Sequence, residues 1–397
     1  MAMENTITVN KKGFKETKLG SIPKDWEVVK LENAIVFLDN KRKPIKSEDR
    51  SKRSGVYPYY GASGVIDYID DYIFDDNLIL LGEDGANVIA RSTPLAFKVT
   101  GKIWVNNHAH VLKPKKDYDL DYLVNFLESI KYDKYNTSKA QPKLNKDVCA
   151  RIPILKPSFK EQFIIGHCLT TWDVVISKQD ALIKAKQTLK KALMQQLLNG
   201  KKRLSGFSDE WKEKKLDFFF DERSERNNKG SQLLSIGEAG VYPQDNSNKK
   251  DTSNNDKSKY KKICVGDIGY NSMRMWQGRS ALSSLEGIVS PAYTIVKPKK
   301  NTDSQFFAYL FKDPAVIHRF FRNSQGMVSD TLNCKFKDFA IIKLLLPINK
   351  EEQIAIAQVL KTADQEISLL TSQRNQLQLQ KKGLMQQLLT GKKRLKI

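Results

Sequence analysis

An eleven-residue segment occurs twice in this chain and constrains its fold more than any other feature. The segment Met-Gln-Gln-Leu-Leu-x-Gly-Lys-Lys-Arg-Leu spans Met194–Leu204 and again Met385–Leu395, 191 positions later in a chain of 397 residues. The same offset relates Glu161-Gln162 to Glu352-Gln353. About forty residues are therefore duplicated without insertion or deletion, whereas the segments between the copies look unrelated. The chain is therefore expected to consist of two halves with the same architecture.

Each copy of the repeat predicts a long helix with a coiled-coil seam. The seam positions advance by alternating steps of four and three residues and are mostly apolar. They are Ile165, Leu169, Trp172, Ile176, Gln179, Ile183, Lys186, Lys190, Leu193 and Leu197 in the first copy, and Ile356, Leu360, Ala363, Ile367, Leu370, Arg374, Leu377, Lys381, Leu384 and Leu388 in the second. Prolines precede the two helices and glycines close them, namely Pro157, Pro347, Gly200 and Gly391.

A single helix cannot bury such a stripe alone, so we expect the two helices to pack on each other. Duplicated units usually follow a pseudo-two-fold axis, which predicts antiparallel packing. Trp172 would then lie beside Leu377 or Lys381 and not beside Ala363. The alternative is that each helix packs on its own globular domain.

The segments between the helices predict one mixed fold, used twice. Strand patterns in the first segment cover Val56–Gly61, Tyr72–Phe74, Asn77–Leu81, Asn87–Arg91, Leu95–Val99 and Ile103–Val105, before a helix at Leu120–Ser129. The second segment repeats this order at Gln232–Ile236, Lys262–Val265, Ile268–Asn271, Ile288–Val289 and Tyr293–Val296, before a helix near Ser304–Phe311. The predicted fold class is α+β. Two globular domains, residues 1–156 and 201–346, are joined and separated by long antiparallel coiled-coil helices at 157–200 and 347–397.

The charge of the chain points to a polyanionic partner. Lys and Arg number 67 against 45 Asp and Glu, a formal charge of +22. Such an excess favours nucleic acid over a merely basic soluble protein or a membrane surface. The four cysteines, Cys149, Cys168, Cys264 and Cys334, form no C-x-x-C pair, which argues against a zinc ribbon and suits a reducing compartment. No signal region and no membrane-length apolar run are found, so a cytoplasmic location is expected.

Specific motifs then resemble one known family. Leu19–Trp26 is echoed by Leu204–Trp211, and both helices end in Leu-Met-Gln-Gln-Leu-Leu-x-Gly. Over essentially its whole length the chain resembles the specificity subunit of a type I restriction–modification system. The resemblance implies two target-recognition domains that each read half of a split site in double-stranded DNA, with the helices setting the gap. It also implies binding of two modification (adenine methyltransferase) subunits and of restriction subunits.

Catalytic motifs are missing from the sequence. It has no Asn/Asp-Pro-Pro-aromatic motif, no glycine-rich cofactor loop and no P-loop, so we expect no enzymatic activity and no cofactor in this chain. S-adenosylmethionine, ATP and Mg are expected on partner subunits. His108 and His110 lack a partner carboxylate motif, which disfavours a metal site. A stand-alone sequence-specific DNA-binding regulator is the rival hypothesis, and a coiled-coil scaffold without a DNA role is the third.

Candidate contact residues follow from the chemistry of DNA reading, in which Lys and Arg hold phosphates and amide or guanidinium groups read base edges. In the first domain they are Lys41, Arg42, Lys43, Arg53, Tyr59, Tyr60, Ser63, Lys139, Gln141 and Lys143. In the second they are Arg274, Trp276, Gln277, Arg279, Arg322, Asn323 and Gln325, with Gln325 as the counterpart of Gln141. The repeated Gln195, Gln196, Gln386 and Gln387 are candidates for docking partner subunits.

Two further segments leave alternatives open. The acidic residues of the turn Gly82–Asn87 could accept from cytosine N4 or simply cap the turn. The polar stretch Lys249–Lys262 could follow a DNA backbone or be plainly disordered. In addition, Thr17–Leu31 corresponds to Leu204–Leu216. The order of segments is therefore that of a circular arrangement of two modules that has been opened between them.

Overall fold

The computed structural model describes residues 13–138, 141–226, 230–237, 240–246, 256–326 and 332–396. It divides into two compact units. The first unit combines the chain up to Asp180 with the chain from Ser372 onward, and the second unit is Ala181–Thr371. Each unit therefore holds one α+β part and a portion of each long helix.

The first unit begins with a strand-rich region that ends at a long helix. Its strands are β1 (Phe14–Thr17), β2 (Gly20–Pro23), β3 (Glu27–Lys30), β4 (Ile35–Phe37), β5 (Ser54–Gly61), β6 (Gly64–Ile69), β7 (Phe74–Asp75), β8 (Leu78–Gly82), β9 (Ala96–Val99), β10 (Lys102–Val105), β11 (Ala109–Pro114) and β12 (Pro153–Lys156). Its helices are α1 (Leu31–Ala34), α2 (Ser47–Arg50), α3 (Asn87–Ala90), α4 (Leu120–Ser129), α5 (Lys146–Ala150) and the start of α6 (Phe159–Leu197).

Two four-stranded sheets organise the first unit. One has the order β4-β11-β8-β9 and the other the order β6-β5-β10-β7. Every residue of β8 is buried, which fits its continuous apolar run. The main core gathers Trp26 and helix α4 with Ile165 and Leu169 of α6 and Leu388 of the last helix. Both long helices thus contribute to the core of this unit.

The second unit repeats one of these two sheets. Its strands are β13 (Lys212–Lys215), β14 (Phe220–Glu222), β15 (Leu234–Gly237), β16 (Gly240–Pro243), β17 (Lys261–Ile263), β18 (Ile268–Asn271), β19 (Ser280–Leu282), β20 (Gly287–Val289), β21 (Tyr293–Pro298) and β22 (Lys343–Leu346). Its helices are α7 (Ser304–Leu310), α8 (Pro314–Asn323), α9 (Phe336–Ala340) and most of α10 (Lys350–Leu388). The sheet β14-β21-β18-β19 matches β4-β11-β8-β9 strand for strand. Its strands β15–β16 and β17–β20 form two-stranded sheets instead of the other four-stranded sheet.

The two long helices, α6 and α10, confirm the predicted seams. All ten seam positions of each helix are buried or half-buried. Within the first unit, Lys381 Nζ of α10 lies 2.6 Å from an oxygen of Asp173 in α6. Within the second unit, Lys190 Nζ of α6 lies 2.6 Å from Asp364 of α10. In both units the earlier part of one helix meets the later part of the other, so the packing is antiparallel as predicted.

The first turn of each long helix contains a glutamine that is anchored in the same way. Gln162 donates from Nε2 to Pro157 O at 3.0 Å, and Gln353 donates to Pro347 O at 2.9 Å. Both glutamines are fully buried. The side chain satisfies a carbonyl that the proline turn would otherwise leave unpaired, which explains why Glu-Gln is part of the repeat.

Next to each glutamine, a buried carboxylate binds two side chains from distant parts of the same unit. In the first unit, Glu161 accepts from Trp26 Nε1 at 3.1 Å and from Arg394 Nη2 at 2.7 Å. In the second unit, Glu352 accepts from Trp211 Nε1 at 3.2 Å and from Arg203 Nε at 2.6 Å. The arginine comes from the segment after a long helix and the tryptophan from the segment that opens an α+β part. These two Trp–Glu–Arg clusters are named the clamps below.

One predicted element was wrong, and one helix was not predicted. Asn87–Arg91, predicted as a strand, forms helix α3, because the Asn87 side chain bonds the backbone of Thr93 and Arg91 takes a left-handed φ of 52°. Helix α8 was missed, so Arg322 and Asn323 lie in a last helical turn and not in a loop. The signal was present in Asp313-Pro314, where the aspartate accepts from Ala315 N as an N-cap and proline takes the first helical position.

Candidate nucleic-acid interface

The second unit contains an open polar cleft of about 550 Å³. It lies among the hairpin β15–β16, the end of β18 and the loop that follows β18. The lining residues are Ser235, Ile236, Gly237, Tyr242, Gln244, Asn271, Arg274, Gln277, Arg279 and Tyr293. Three of the predicted DNA contacts, Arg274, Gln277 and Arg279, are thus brought together, and all three are exposed.

The loop that carries these three side chains is held rigidly by the fold. Met275 is fully buried and anchors the loop in the core. Gly278 has a φ of +74° and approaches Ile317 so closely that a Cβ would lie 2.7 Å from its Cδ1. Lys312 Nζ donates to the carbonyls of Gly278 and Ser280, each at 2.7 Å. A loop fixed in this way presents its side chains with little ordering left to occur on binding.

Helix α8 packs beside this loop and extends its basic surface. Trp276 is half-buried, with its ring 6.2 Å from that of Phe321, and its indole N–H donates to Met273 O at 3.0 Å. Arg319 and Arg322 are exposed on α8. Asn323 donates from its amide to Arg319 O at 2.8 Å, so it ends the helix. Trp276 and Asn323 therefore support the surface on which the arginines lie.

The first unit has a close backbone contact at the equivalent strand position. Its hairpin turn Gly61–Gly64 matches Gly237–Gly240, since Gly64 and Gly240 have φ values of +127° and +129°. In this hairpin Ala62 O approaches Gly82, where a Cβ would lie 2.8 Å away. By strand register Gly82 corresponds to Asn271, which lines the cleft of the second unit. The same fold therefore offers two different surfaces at the same place.

Three predicted contacts of the first unit serve its own structure instead. Arg42 donates to Glu83 at 2.7 Å and to Ala109 O at 2.8 Å. Arg53 pairs with Asp70 at 2.9 Å. Tyr59 is 1% exposed and cannot reach DNA in this conformation, and its hydroxyl accepts from Ile45 N. Tyr59 is a core residue, and both arginines are held by carboxylates far along the sequence.

The other predicted residues of the first unit differ in accessibility. Tyr60 is half-buried against Phe97, and Lys143 lies 3.4 Å from Glu83. The exposed predicted residues are Lys41, Lys43, Ser63 and Gln141. Lys139 lies outside the described residues, as does the first half of the polar stretch Lys249–Lys262.

A buried ionic network lies under the turn Gly82–Asn87. His110 Nδ1 lies 2.7 Å from Asp39, and its Nε2 lies 2.7 Å from Leu144 O. Both ring nitrogens face acceptors, so both donate and the imidazole is charged. Although burial alone would lower the pKa of His110, the hydrogen bond and charge of Asp39 raise it to about 10. Glu83 and Asp84 of the turn bind Arg42 and His108, which favours the structural alternative for these carboxylates.

The predicted correspondence between Gln141 and Gln325 was wrong. Gln325 N donates to Asn333 O, and the matching bond in the first unit runs from Thr137 N to Lys143 O. Thr137 is thus the counterpart of Gln325, because the loop of the second unit is two residues longer. The Gln325 side chain is exposed, so it stays a candidate contact.

The repeated glutamines lie near the ends of the long helices. Gln195, Gln196 and Gln386 are exposed, and Gln387 is half-buried. The backbone carbonyls of Gln196 and Gln387 accept from Lys202 N and Lys393 N at 3.0 and 3.1 Å. Their main chains therefore close the helix ends, and their side chains remain at the surface.

Sequence reasoning missed seven of the ten described residues that line the cleft. Ser235, Tyr242, Gln244, Asn271 and Tyr293 were not among the predicted contacts. The one available signal was the shared Gly-x-x-Gly-Val of the two hairpins, which marks the turn but not its neighbours.

Comparison with known proteins agrees with this architecture. Residues 23–188 match the family described as type I restriction modification DNA specificity domain. A putative type I restriction enzyme specificity subunit of Haemophilus influenzae is 30% identical over 169 residues, 43% of this chain and 42% of that protein. The MjaVIII specificity subunit of Methanocaldococcus jannaschii is 24% identical over 96% of both chains. The crystal structure of the type I restriction–modification S subunit from M. genitalium has a TM-score of 0.59 at 14% identity, covers 91% of this chain and 96% of that one, and shows the same fold.

Residues 23–188 therefore carry a type I restriction modification DNA specificity domain, and the chain is similar along its length to a type I specificity subunit. Such a subunit is a recognition component and not a catalytic one. In the described ranges no cluster of His, Cys, Asp or Glu is arranged to hold a metal ion. None of the described helices is long and apolar enough to cross a membrane.

Proposed function

We propose that each unit reads one half of a bipartite target in double-stranded DNA. The observation that carries this proposal is the contrast between the two units. They share the order of one four-stranded sheet, the clamp and the helix seam, yet they differ at equivalent strand positions: Asn271 lines the polar cleft of the second unit, whereas Gly82 of the first unit lies against Ala62 O. Two sites built on one scaffold with different surfaces suit two different half-sites, and the charge of +22 suits the phosphate backbone.

The long helices would set the gap between the half-sites. Each has 39 residues, which corresponds to about 58 Å at 1.5 Å per residue. Their seams leave the repeated Gln195-Gln196 and Gln386-Gln387 at the surface. A polar surface repeated on both helices suits two copies of one partner, the modification subunits, with restriction subunits joining the complete assembly.

The chemistry would reside on those partners. S-adenosylmethionine would bind the modification subunits, and ATP and Mg the restriction subunits. In this division of roles the chain supplies sequence recognition to activities elsewhere.

Adenine-methylation mapping of the native host, with and without this gene, tests the proposal. We expect one bipartite motif to lose methylation on deletion and to regain it with the intact gene. Copurification from the host should bring down two methyltransferase chains per copy. A protein that purifies alone and leaves the methylation map unchanged would instead support the stand-alone regulator.

A further inference from the structure

The cleft of the second unit presents mainly hydrogen-bond donors. Arg274 can only donate. Asn271 Oδ1 is occupied by Met273 N at 3.0 Å, and Gln244 Oε1 accepts from Ser235 Oγ. In both amides the carbonyl is thus used inside the protein, and the NH₂ group is the part that can serve a ligand.

The four bases present different hydrogen-bonding groups to such a cleft. In the major groove guanine shows two acceptors, adenine an acceptor and a donor, cytosine a donor, and thymine an acceptor and a methyl group. Guanine alone shows two acceptors side by side, which is the pattern that the paired donors of one guanidinium need.

The arginine best placed for this contact has a fixed backbone. Arg274 N donates to Asn271 O at 2.9 Å, and Arg274 O accepts from Gln277 N at 2.9 Å. The side chain is exposed on a loop anchored by Met275. A guanidinium carried by a backbone fixed in this way can donate to both O6 and N7 of one guanine.

We propose that this cleft binds the major-groove edge of a guanine, so that the half-site read by the second unit contains a G·C pair. The inference rests on the proposed function and adds the class of base. A phosphate would offer acceptors too, but an exposed basic side chain suffices for that contact. The amides of Asn271 and Gln244 and the rings of Tyr242 and Tyr293 form a recess around the arginine that fits a base edge.

Atomic substitution in the DNA tests the guanine contact. The full chain, in complex with its methyltransferase subunits, is titrated with duplexes that carry the mapped target. Each guanine is replaced in turn by 7-deazaguanine, which pairs normally but lacks the N7 acceptor. We expect one replacement to weaken binding about tenfold, as loss of part of a bidentate contact should. Arg274→Ala should weaken the natural target about 10- to 100-fold and abolish the effect of that replacement.

Two further variants keep the test interpretable. Arg274→Lys retains the charge but not the fork, so it should lose discrimination at that guanine while keeping the salt dependence of binding. Arg319→Ala, on α8 and outside the cleft, should leave the effect of 7-deazaguanine at its full size. Circular dichroism and the unfolding midpoint establish that each variant is folded.

The outcomes separate the inference from the function on which it rests. If Arg274→Ala weakens all sequences equally, with no coupling to 7-deazaguanine, the arginine binds phosphate and the inference is overturned. A bipartite target with no guanine in the half-site that responds to Arg274 variants also overturns it, while the proposed function stands. Loss of the proposed function itself would show as a methylation map that does not depend on the gene.

Discussion

Removing the guanidinium of Arg203 should destabilise the second unit by roughly 3 kcal/mol, because it leaves a buried carboxylate without its charge partner. Glu352 is 1% exposed and accepts from Arg203 at 2.6 and 2.9 Å. In Arg203→Ala only the Trp211 indole N–H, at 3.2 Å, would remain. Breaking a buried pair from one side typically costs about 3–5 kcal/mol, and the partial exposure of Arg203 places this case at the lower end.

A double-mutant cycle separates the pair from the packing around it. Glu352→Gln removes the charge but keeps the shape, so Arg203→Ala combined with Glu352→Gln should be more stable than Arg203→Ala alone. Lys202→Ala, at the exposed neighbouring position, should change the free energy of unfolding by less than about 0.5 kcal/mol. Arg203→Lys should recover only part of the loss, because an ammonium cannot bond both oxygens as the fork does.

Urea unfolding followed by circular dichroism and tryptophan fluorescence provides the measurement, with the midpoint read at an unchanged slope. The reasoning is refuted if Arg203→Ala loses less than about 1 kcal/mol, or if the two substitutions add without coupling. The clamp would then stabilise the fold no more than an ion pair at the surface does, although Glu352 is buried.

Three other perturbations have defined outcomes. Deleting one heptad from both long helices should shorten each by about 10 Å and the target gap by roughly three base pairs, with both half-sites kept; an unchanged gap in an active variant contradicts the spacer role. The pKa of His110 is raised to about 10 in the folded chain, so its stabilisation is complete below pH 6.5 and is lost as the pH rises toward 10. Stability in that window should fall by up to about 1.4 kcal/mol per pH unit, and His110→Asn should lack this slope in urea titrations. Joining Leu395 to Lys18 by a short linker and reopening the chain within Gly200–Ser205 should give a folded subunit with the same methylation target, because Arg394 already binds Asp25 at 2.9 Å; an insoluble permutant defeats this reading.

The parts of the fold that could be predicted from the sequence are those with a local period. The helix seams and the strand Ile268–Asn271 follow from spacing alone and match the structure. Helix α3 was missed because a single side chain, that of Asn87, accepts a hydrogen bond from the backbone of Thr93 and so turns a short apolar segment into a helix. Arg42 looked like a free cation, but its partner Glu83 lies 41 residues away. No local pattern reports such a pairing.

The cleft illustrates the same limit at the level of the site. Its loop, Arg274–Arg279, was predicted from composition, since two arginines and a glutamine close together are characteristic of DNA reading. The opposite wall, with Ser235 and Gln244, comes from a hairpin some forty residues earlier in the chain. Which residues face each other depends on strand pairing, and pairing depends on the whole sheet. A candidate DNA-contacting loop can therefore be predicted from the sequence, whereas the other residues that line the cleft cannot.

The seam charges explain why the helices pack antiparallel. Lys190 pairs with Asp364 in the second unit, and Lys381 pairs with Asp173 in the first. Because the repeat is in strict register, parallel packing would set each seam residue against its own counterpart and would bring Lys190 against Lys381. Like charges at a seam disfavour an arrangement, whereas the observed pairs are all opposite. Two lysines and two aspartates at repeated positions thus select the antiparallel orientation, and the apolar positions of the seam supply its stability.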